Sequence, residues 1–265
     1  MDLIHAVWLA VLQGFTEFLP ISSSGHLVLV PRFLGWPDQG LAFDVAVHLG
    51  TLIAVVSYFH RELLTMAGAW LRSVGGAEAT PDSRLAWSII WGTVPVALVG
   101  FLLADVVEAE LRSPLLIAST TAGFGIVLWL ADVRGRRTRN EFSLRWSEVM
   151  LIGLAQVLAL VPGTSRSGIT MTAALMLGLK REAAARFSFL LAVPVIFAAA
   201  LLETVRLLQA PVATDWVAMG LGTLVSAVVA YLTIRYFLRF LGRIGMLPFA
   251  IYRLLLALLI VYVFG

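Results

Sequence analysis

Six long apolar stretches limit what this chain can fold into. They cover residues 43–60, 86–104, 114–131, 186–206, 216–235 and 246–264. A helix needs about 20 consecutive, mostly apolar residues to cross the hydrocarbon core of a bilayer. Within that core the backbone must satisfy its own hydrogen bonds, which favours helices over open sheets. The pattern predicts an all-α polytopic membrane protein.

The composition agrees with a membrane location and excludes several other classes. Only 13 % of the 265 residues are charged, whereas a soluble domain averages roughly 25 %. The sequence contains no cysteine, so disulfides and thiolate metal sites are excluded. The most basic run, residues 132–145, directly follows an apolar stretch. Basic runs in that position anchor membrane proteins, so no nucleic-acid partner is expected.

Each half of the chain also contains two apolar segments that are too short to span a bilayer. They are residues 4–19 and 26–34 in the first half and residues 148–161 and 169–178 in the second. Pro20 and Pro162 stand at the polar loops between them, and proline ends a helix because it lacks an N–H and clashes with the preceding turn. The pattern predicts two re-entrant helix–loop–helix hairpins. For the first hairpin, one kinked spanning helix over residues 4–30 is the alternative.

The two halves resemble each other in sequence as well as in order. Ser22–Gly25, SSSG, matches Ser165–Gly168, SRSG, and each loop follows a proline by two or three residues. We therefore predict a single integral membrane domain over residues 1–265, built from repeats of about 1–131 and 147–265. Each repeat has one hairpin and three spans. Three is an odd number, so the second repeat enters from the opposite side, which makes an inverted 3+3 repeat.

The distribution of positive charge predicts the orientation. Fourteen of the 19 lysine and arginine residues lie in the four loops 61–84, 132–145, 179–186 and 235–245. Cytoplasmic loops carry an excess of such residues, and all four loops can be cytoplasmic without conflict. The remaining loops then face outward, together with both termini: they are residues 35–42, 105–113 and 207–215.

Polar residues concentrate in the two predicted loop regions. Gln13 and Glu17 are four residues apart, so a helix places them on one face. Arg166 lies between two serines in the second loop. Such residues are costly in lipid and mark functional sites by default. If the two loops meet, one site would contain Gln13, Glu17, Ser22, Ser23, Ser24, His26, Ser165, Arg166, Ser167 and Thr170.

These residue types favour phosphate chemistry or phosphate recognition. The oxygens of Gln13 and Glu17 suit a divalent cation, Mg²⁺ or Ca²⁺. Arg166 and the serine loops suit phosphate oxygens, and His26 could act as a general base or attack phosphorus itself. A transporter or flippase could use the same loops to bind a lipid phosphate without cleaving it. A purely structural role does not explain charged residues kept in lipid.

Three other polar positions receive simpler interpretations. His48 lies inside a span and is expected to be a hydrogen-bonded structural residue. Glu203 and Arg206 share a helix face and are expected to form a local ion pair. Arg253 lies inside the last span, and the sequence assigns it no partner.

Two motifs resemble those of a known family. Gln13–His26, QGFTEFLPISSSGH, resembles the (E/Q)xxxE motif and the serine–histidine loop of the undecaprenyl-diphosphate phosphatase family, also called bacitracin-resistance proteins. Pro162–Thr170, PGTSRSGIT, matches that family's PGxSRSxxT motif at every fixed position. The length and repeat pattern agree as well, so the resemblance covers essentially the whole chain. One departure is Gln13, where many members have glutamate.

The resemblance implies an enzyme that removes the terminal phosphate of undecaprenyl diphosphate and so yields undecaprenyl phosphate, the lipid carrier of cell-wall precursors. It implies a divalent cation and a site that opens to the outer face of the bacterial plasma membrane. The family's motif positions imply four catalytic residues: Glu17, His26, Ser23 and Arg166. They also imply that Glu17 and Gln13 hold the metal. The expected substrate-binding residues are Ser22, Ser24, Ser165, Ser167 and Thr170. A homodimer is compatible with the sequence, which does not fix the oligomeric state.

Overall fold

The computed structural model describes residues 2–111, 113–209 and 215–264. Within these ranges the chain forms α-helices, two short 3-10 turns and no β-strand, which confirms the all-α class. The helices are α1 (Leu3–Thr16), α2 (Ser23–Leu34), α3 (Gly40–Tyr58), α4 (His60–Val74), α5 (Pro81–Glu110), α6 (Pro114–Arg134), α7 (Trp146–Val157), α8 (Arg166–Met176), α9 (Arg181–Gln209), α10 (Trp216–Ile244) and α11 (Leu247–Phe264).

Six of these helices are long and apolar enough to cross a membrane, and each covers all or most of one predicted span. They are α3, α5, α6, α9, α10 and α11. At most 44 % of the most apolar window of each is buried inside the protein. The outward faces carry side chains such as Phe101, Leu102 and Leu258. Such extensive apolar exposure requires lipid rather than water around it, so the chain is a multi-pass membrane protein.

Helix ends differ from the predicted spans in three places. The basic segment 61–84 is not simply a loop, because α4 occupies its first part. Met66 and Ala69 of α4 are buried, and Trp70 meets Trp87 of α5 with ring centroids 5.8 Å apart. α4 is therefore an amphipathic helix with one face packed against the protein. The backbone of α5 continues to Glu110 and α10 continues to Ile244, so helix replaces most of two predicted loops, 105–113 and 235–245.

The four short apolar segments form two helix–loop–helix units. In the first, α1 ends at Thr16, residues 17–22 are non-helical, and α2 begins at Ser23. The two helices pack against each other, so a continuous helix over residues 4–30 is excluded. In the second, α7 is extended by a 3-10 turn at Leu158–Leu160 before α8 begins. Their loops, residues 17–22 and 161–165, are called the first and second loops below.

Helices of each half of the chain pack against helices of the other half. α1 and α3 both pack on α10, while α7 and α9 both pack on α5. α3 also packs on α9, and α6 packs on α11. Small residues permit the closest approaches: a Cβ on Gly14 of α1 would lie 2.7 Å from Ser226 O of α10. A Cβ on Gly153 of α7 would lie 2.7 Å from Gly92 O of α5.

Candidate active site

The first loop meets the first turn of α8, which directly follows the second loop, inside the helical bundle. Ser167 Oγ donates to Leu19 O at 2.8 Å, and Arg166 Nη2 donates to Glu17 Oε1 at 3.0 Å. These contacts join residues that are almost 150 positions apart in the chain. The structure thus brings together the two polar regions that the sequence singles out.

The two loops end in the same unusual backbone conformation. Ser22 and Ser165 both have φ of 71°, the left-handed region that residues other than glycine seldom occupy. Each serine caps the helix that follows: Ser22 Oγ accepts from Gly25 N at 3.4 Å, and Ser165 Oγ accepts from Gly168 N at 3.1 Å. Strained backbone of this kind clusters at functional sites. The N-termini of α2 and α8, which favour anions, therefore begin at the meeting point.

Glu17 is the centre of the polar cluster. Its side chain is 7 % exposed and accepts three hydrogen bonds. Ser23 Oγ donates to Oε2 at 2.6 Å, and Gln13 Nε2 donates to the same oxygen at 3.0 Å. Arg166 pairs with Oε1. A buried carboxylate is tolerated because these donors compensate for its lost hydration.

Arg166 retains capacity for a ligand. Its Nη1 donates to Ser188 O at 3.2 Å, in addition to the Nη2 bond to Glu17. A guanidinium has five N–H donors, and these two bonds use only part of them. The Arg166 side chain is 12 % exposed. It is therefore positioned by protein contacts while it can still reach an anion.

The predicted serines and threonine divide into two groups by exposure. Ser23 is half-buried and Ser24 is exposed. Ser22, Ser165 and Ser167 are buried, and their hydroxyls hydrogen-bond within the loops. Thr170 is fully buried, with its hydroxyl 2.7 Å from Ser188 Oγ and 2.8 Å from Arg166 O. The buried members hold the two loops and α9 in place.

His26 is held by hydrogen bonds at both ring nitrogens. Nδ1 lies 2.7 Å from Ser22 O, and because a carbonyl only accepts, Nδ1 carries the proton. Nε2 lies 2.6 Å from the hydroxyl of Tyr252; in the neutral imidazole with its proton on Nδ1, the tyrosine hydroxyl donates to Nε2. The two rings stack, with an interplanar angle of 9°. In the described ranges, His26 makes no hydrogen bond to Glu17, Ser23 or Arg166.

His48 approaches the cluster from α3. Nδ1 lies 2.7 Å from Asp44 O, which confirms the predicted structural hydrogen bond. Its Nε2, however, lies 4.0 Å from Glu17 Oε2. The sequence interpretation therefore missed that His48 borders the site. The residue stands in an apolar span, and only the crossing of α3 with the first loop brings it close.

Comparison with known proteins identifies the family. A family model described as bacitracin resistance protein BacA matches residues 6–259. The undecaprenyl-diphosphatase of Nitrosococcus oceani is 59 % identical over the whole of both chains. The undecaprenyl-diphosphatase 2 of Stutzerimonas stutzeri is 56 % identical over 100 % of this chain and 99 % of its own. That of Chromohalobacter salexigens is 55 % identical over 98 % of each. The chain belongs to the BacA family.

Two side chains of the site could hold the divalent cation that the family resemblance implies. Gln13 of this BacA protein is fully buried, and its Oε1 has no hydrogen-bond partner in the described ranges. This oxygen and Glu17 are suitable donors for a hard cation. The described residues contain no cluster of three or more histidine, cysteine or acidic side chains. The donors therefore fit a cation such as Mg²⁺, which keeps several waters and takes substrate phosphates as ligands, but do not form a complete cage.

Arg253 is a second residue whose role the sequence did not predict. It lies on α11 and is fully buried. The structure supplies the partner that the sequence could not: a group of backbone carbonyls that includes Pro20 O of the first loop and Gly163 O of the second. Glu203 and Arg206, in contrast, form the predicted ion pair at 3.4 Å.

Proposed function

We propose that this protein hydrolyses undecaprenyl diphosphate to undecaprenyl phosphate and inorganic phosphate. Its relatives are named for that activity and match it over nearly their full length. The observation that carries the proposal is the 3.0 Å contact between Arg166 and Glu17, because it places a phosphate-binding cation beside a general base. The product is the carrier for cell-wall precursors, and its recycling accounts for bacitracin resistance in the family.

The diphosphate group binds where α2 and α8 begin. Two helix N-termini direct positive partial charge to this point, and Arg166 adds a full charge with unused N–H donors. A planar guanidinium can hold two phosphate oxygens at once. The apolar tail of the substrate remains in the membrane, because the surrounding helices expose apolar side chains to lipid.

Ser23 is the nucleophile in this proposal. Its hydroxyl already donates to Glu17 Oε2 at 2.6 Å, so Glu17 can accept the proton as Oγ attacks the terminal phosphorus. The bond from that phosphorus to the bridging oxygen breaks, and undecaprenyl phosphate leaves with the electron pair. Water then attacks the phosphoserine: its oxygen bonds to phosphorus, the bond from phosphorus to Ser23 Oγ breaks, and Oγ takes back the proton from Glu17. Inorganic phosphate leaves, and the other proton of the water passes to solvent. His26 is less suited to attack phosphorus because both its nitrogens are engaged.

A divalent cation is proposed to enter with the diphosphate. Gln13 Oε1 and Glu17 would provide the protein ligands. When bound, the cation would neutralise charge on the phosphate oxygens. Glu17 would then exchange part of its contact with Gln13 or Arg166 for the ligand complex.

We further propose that the architecture is an inverted 3+3 repeat with two re-entrant hairpins. The exchange of packing partners between halves supports it. So do the matching conformations of Ser22 and Ser165. The repeats, about residues 1–131 and 147–265, would form a single domain with the site near the bilayer midplane. In the plasma membrane, the positively charged segments would be cytoplasmic and the site would open outward. A homodimer remains a prediction.

Phosphate release by the purified protein tests the activity. With undecaprenyl diphosphate and Mg²⁺ or Ca²⁺, wild type should release phosphate. Glu17→Gln should lower kcat by about 10²–10⁴-fold, the usual contribution of a general base, and Ser23→Ala should have a comparable effect. Ser119→Ala is the matched control, because Ser119 is exposed on α6 and bonds only locally, to Leu116 O. It should leave kcat unchanged.

Two outcomes would contradict the proposal. If the wild-type protein released no more phosphate than the Glu17→Gln variant, the assignment as an enzyme would be wrong. Movement of labelled lipid phosphate across proteoliposomes by a cleavage-deficient variant would instead favour the transporter that the inverted repeat also permits. A burst of one equivalent of undecaprenyl phosphate from wild type, preceding inorganic phosphate and absent in Ser23→Ala, would support the covalent step.

A further inference from the structure

Arg253 binds backbone carbonyls from three separate parts of the chain. The side chain has 0 % exposure. The hydrogen bonds run from Nε to Thr121 O at 2.8 Å, from Nη1 to Pro20 O at 3.1 Å, and from Nη2 to Gly163 O at 2.9 Å, Thr164 O at 3.0 Å and Thr120 O at 3.3 Å. One guanidinium thus joins the first loop, the second loop and α6.

The bound carbonyls lie directly beside the catalytic side chains. Pro20 follows Glu17 by three residues and precedes the strained Ser22 by two. Thr164 immediately precedes Ser165 and stands two residues before Arg166. Any shift of these carbonyls moves the two ends of the Glu17–Arg166 pair relative to each other.

Only arginine can make this set of contacts. Burying a cation is costly unless hydrogen bonds compensate for its lost hydration. The planar fork offers five donors in fixed directions, whereas lysine offers three donors on one nitrogen. Loop carbonyls have no helical N–H partner, and an unsatisfied buried carbonyl is also costly. The guanidinium satisfies both requirements and fixes the separation of the loops.

Two glycines make room for the guanidinium. A Cβ on Gly125 of α6 would lie 3.1 Å from Arg253 Cβ and 3.3 Å from its Nε. A Cβ on Gly168 of α8 would lie 3.0 Å from its Nη1. A methyl group at either position would force Arg253 to shift by a few tenths of an ångström relative to its carbonyls. By contrast, a Cβ on Gly123, also on α6, would meet nothing within 4 Å.

We propose that Arg253 is a positioning residue for phosphate hydrolysis: it holds the first and second loops at the separation that aligns Ser23, Glu17 and Arg166. The inference rests on the proposed function of that site. Arg253 does not touch substrate, because it is fully buried behind the loops. Its effect is on the geometry of the reacting groups, so it changes kcat more than KM.

The test compares Arg253→Lys, Gly125→Ala and the matched control Gly123→Ala. Each is purified and its folded fraction measured by gel filtration and thermal unfolding, with kcat and KM taken from phosphate release. Misplacement of reacting groups by about 1 Å can cost about 10²-fold in rate. We expect kcat per folded molecule to fall by about 10-fold or more in Arg253→Lys and Gly125→Ala. KM should change little, and Gly123→Ala should behave as wild type.

Arg253→Gly with and without millimolar guanidinium provides a second readout. Recovery of kcat with guanidinium, but not with ammonium, is expected if the fork itself positions the loops. Loss of thermal stability with unchanged kcat per folded molecule in Arg253→Lys would overturn the inference, as would equal kcat for Gly125→Ala and Gly123→Ala. Absence of phosphate release from wild type would instead overturn the proposed function.

Discussion

Polar side chains at the meeting of the two loops have two different tasks. Ser23 and Arg166 are partly exposed and would contact the ligand in the proposed function, whereas Ser22 and Ser165 cap helices and hold strained backbone. The sequence placed all of them in one set, because a serine that binds a ligand and a serine that caps a helix look alike. What separates them is exposure, which depends on how the loops pack.

The pairing of Tyr252 with His26 leads to a prediction. Tyr252→Phe removes the donor to Nε2, which lies 2.6 Å away. His26 is 4 % exposed, so its acceptor would lose its partner at a cost of about 1–3 kcal/mol. We expect a lower Tm and a several-fold lower kcat, measured by thermal unfolding and phosphate release. Tyr262→Phe is the control, since Tyr262 is 87 % exposed on the same helix; equal behaviour of the two variants would refute a role for the hydrogen bond.

Helix ends are fixed by polar contacts outside the apolar spans. Arg139 pairs with Glu148 in the first turn of α7 through two hydrogen bonds, at 2.7 and 2.8 Å. Arg139 also donates to Leu177 O at the end of α8. The segment between α6 and α7, read from the sequence only as a basic run, therefore joins both helices of the second helix–loop–helix unit.

This ion pair predicts a pH dependence of stability. The hydrogen bonds from Arg139 lower the pKa of Glu148 from 4.5 to about 2. Because the folded-state pKa is the lower one, the stabilisation is complete above pH 4.5 and is lost as the pH falls toward 2. A partly exposed pair contributes about 1 kcal/mol, or about 2–4 °C in Tm for a chain of this size. Glu148→Gln should lower Tm by that amount at neutral pH.

The measurement is thermal unfolding of wild type and Glu148→Gln in detergent across this pH range. The difference in Tm should shrink as the pH falls below 4.5. Glu78→Gln serves as a control, because Glu78 is exposed in the segment before α5 and should not change Tm. A difference in Tm that is independent of pH would show that the carboxylate charge is not what stabilises α7.

The whole molecule places one polar site inside a bundle whose outer surface is apolar. α10 packs on α1 and α3, and α5 packs on α7 and α9, so each half covers the short helices of the other. Neither half could bury its own loop alone. The site is consequently formed only when both halves are assembled, which explains why its residues lie so far apart in sequence.

The proposed orientation predicts the accessibility of introduced cysteines. Asp38, between α2 and α3, and Thr138, between α6 and α7, are both exposed. Asp38→Cys should react with an impermeant thiol reagent added to intact cells, whereas Thr138→Cys should react only after permeabilisation. The absence of native cysteine removes background labelling. The reverse pattern would show that the site opens to the cytoplasm.

Much of this architecture follows from local sequence. The six spans and the breaks near Pro20 and Pro162 depend on hydropathy and on proline chemistry, which act over a single turn or span. Glu17 and Arg166 could be selected as site residues because charge in an apolar region is costly wherever it lies. Helix α4 was missed because residues 61–84 were interpreted as a loop on the basis of their positive charge, and the amphipathic pattern within them was not used.

The sequence by itself determined that the chain crosses a membrane and which two loops concentrate its polar residues. Only the tertiary structure decided which side chains face each other across those loops. His48, Tyr252 and Arg253 reach the site from α3 and α11, helices whose own sequences are ordinary apolar spans. Their roles depend on helix crossings rather than on local pattern. Arg253 had no partner in the sequence because its partners are backbone carbonyls, which every residue carries and which only the fold makes available.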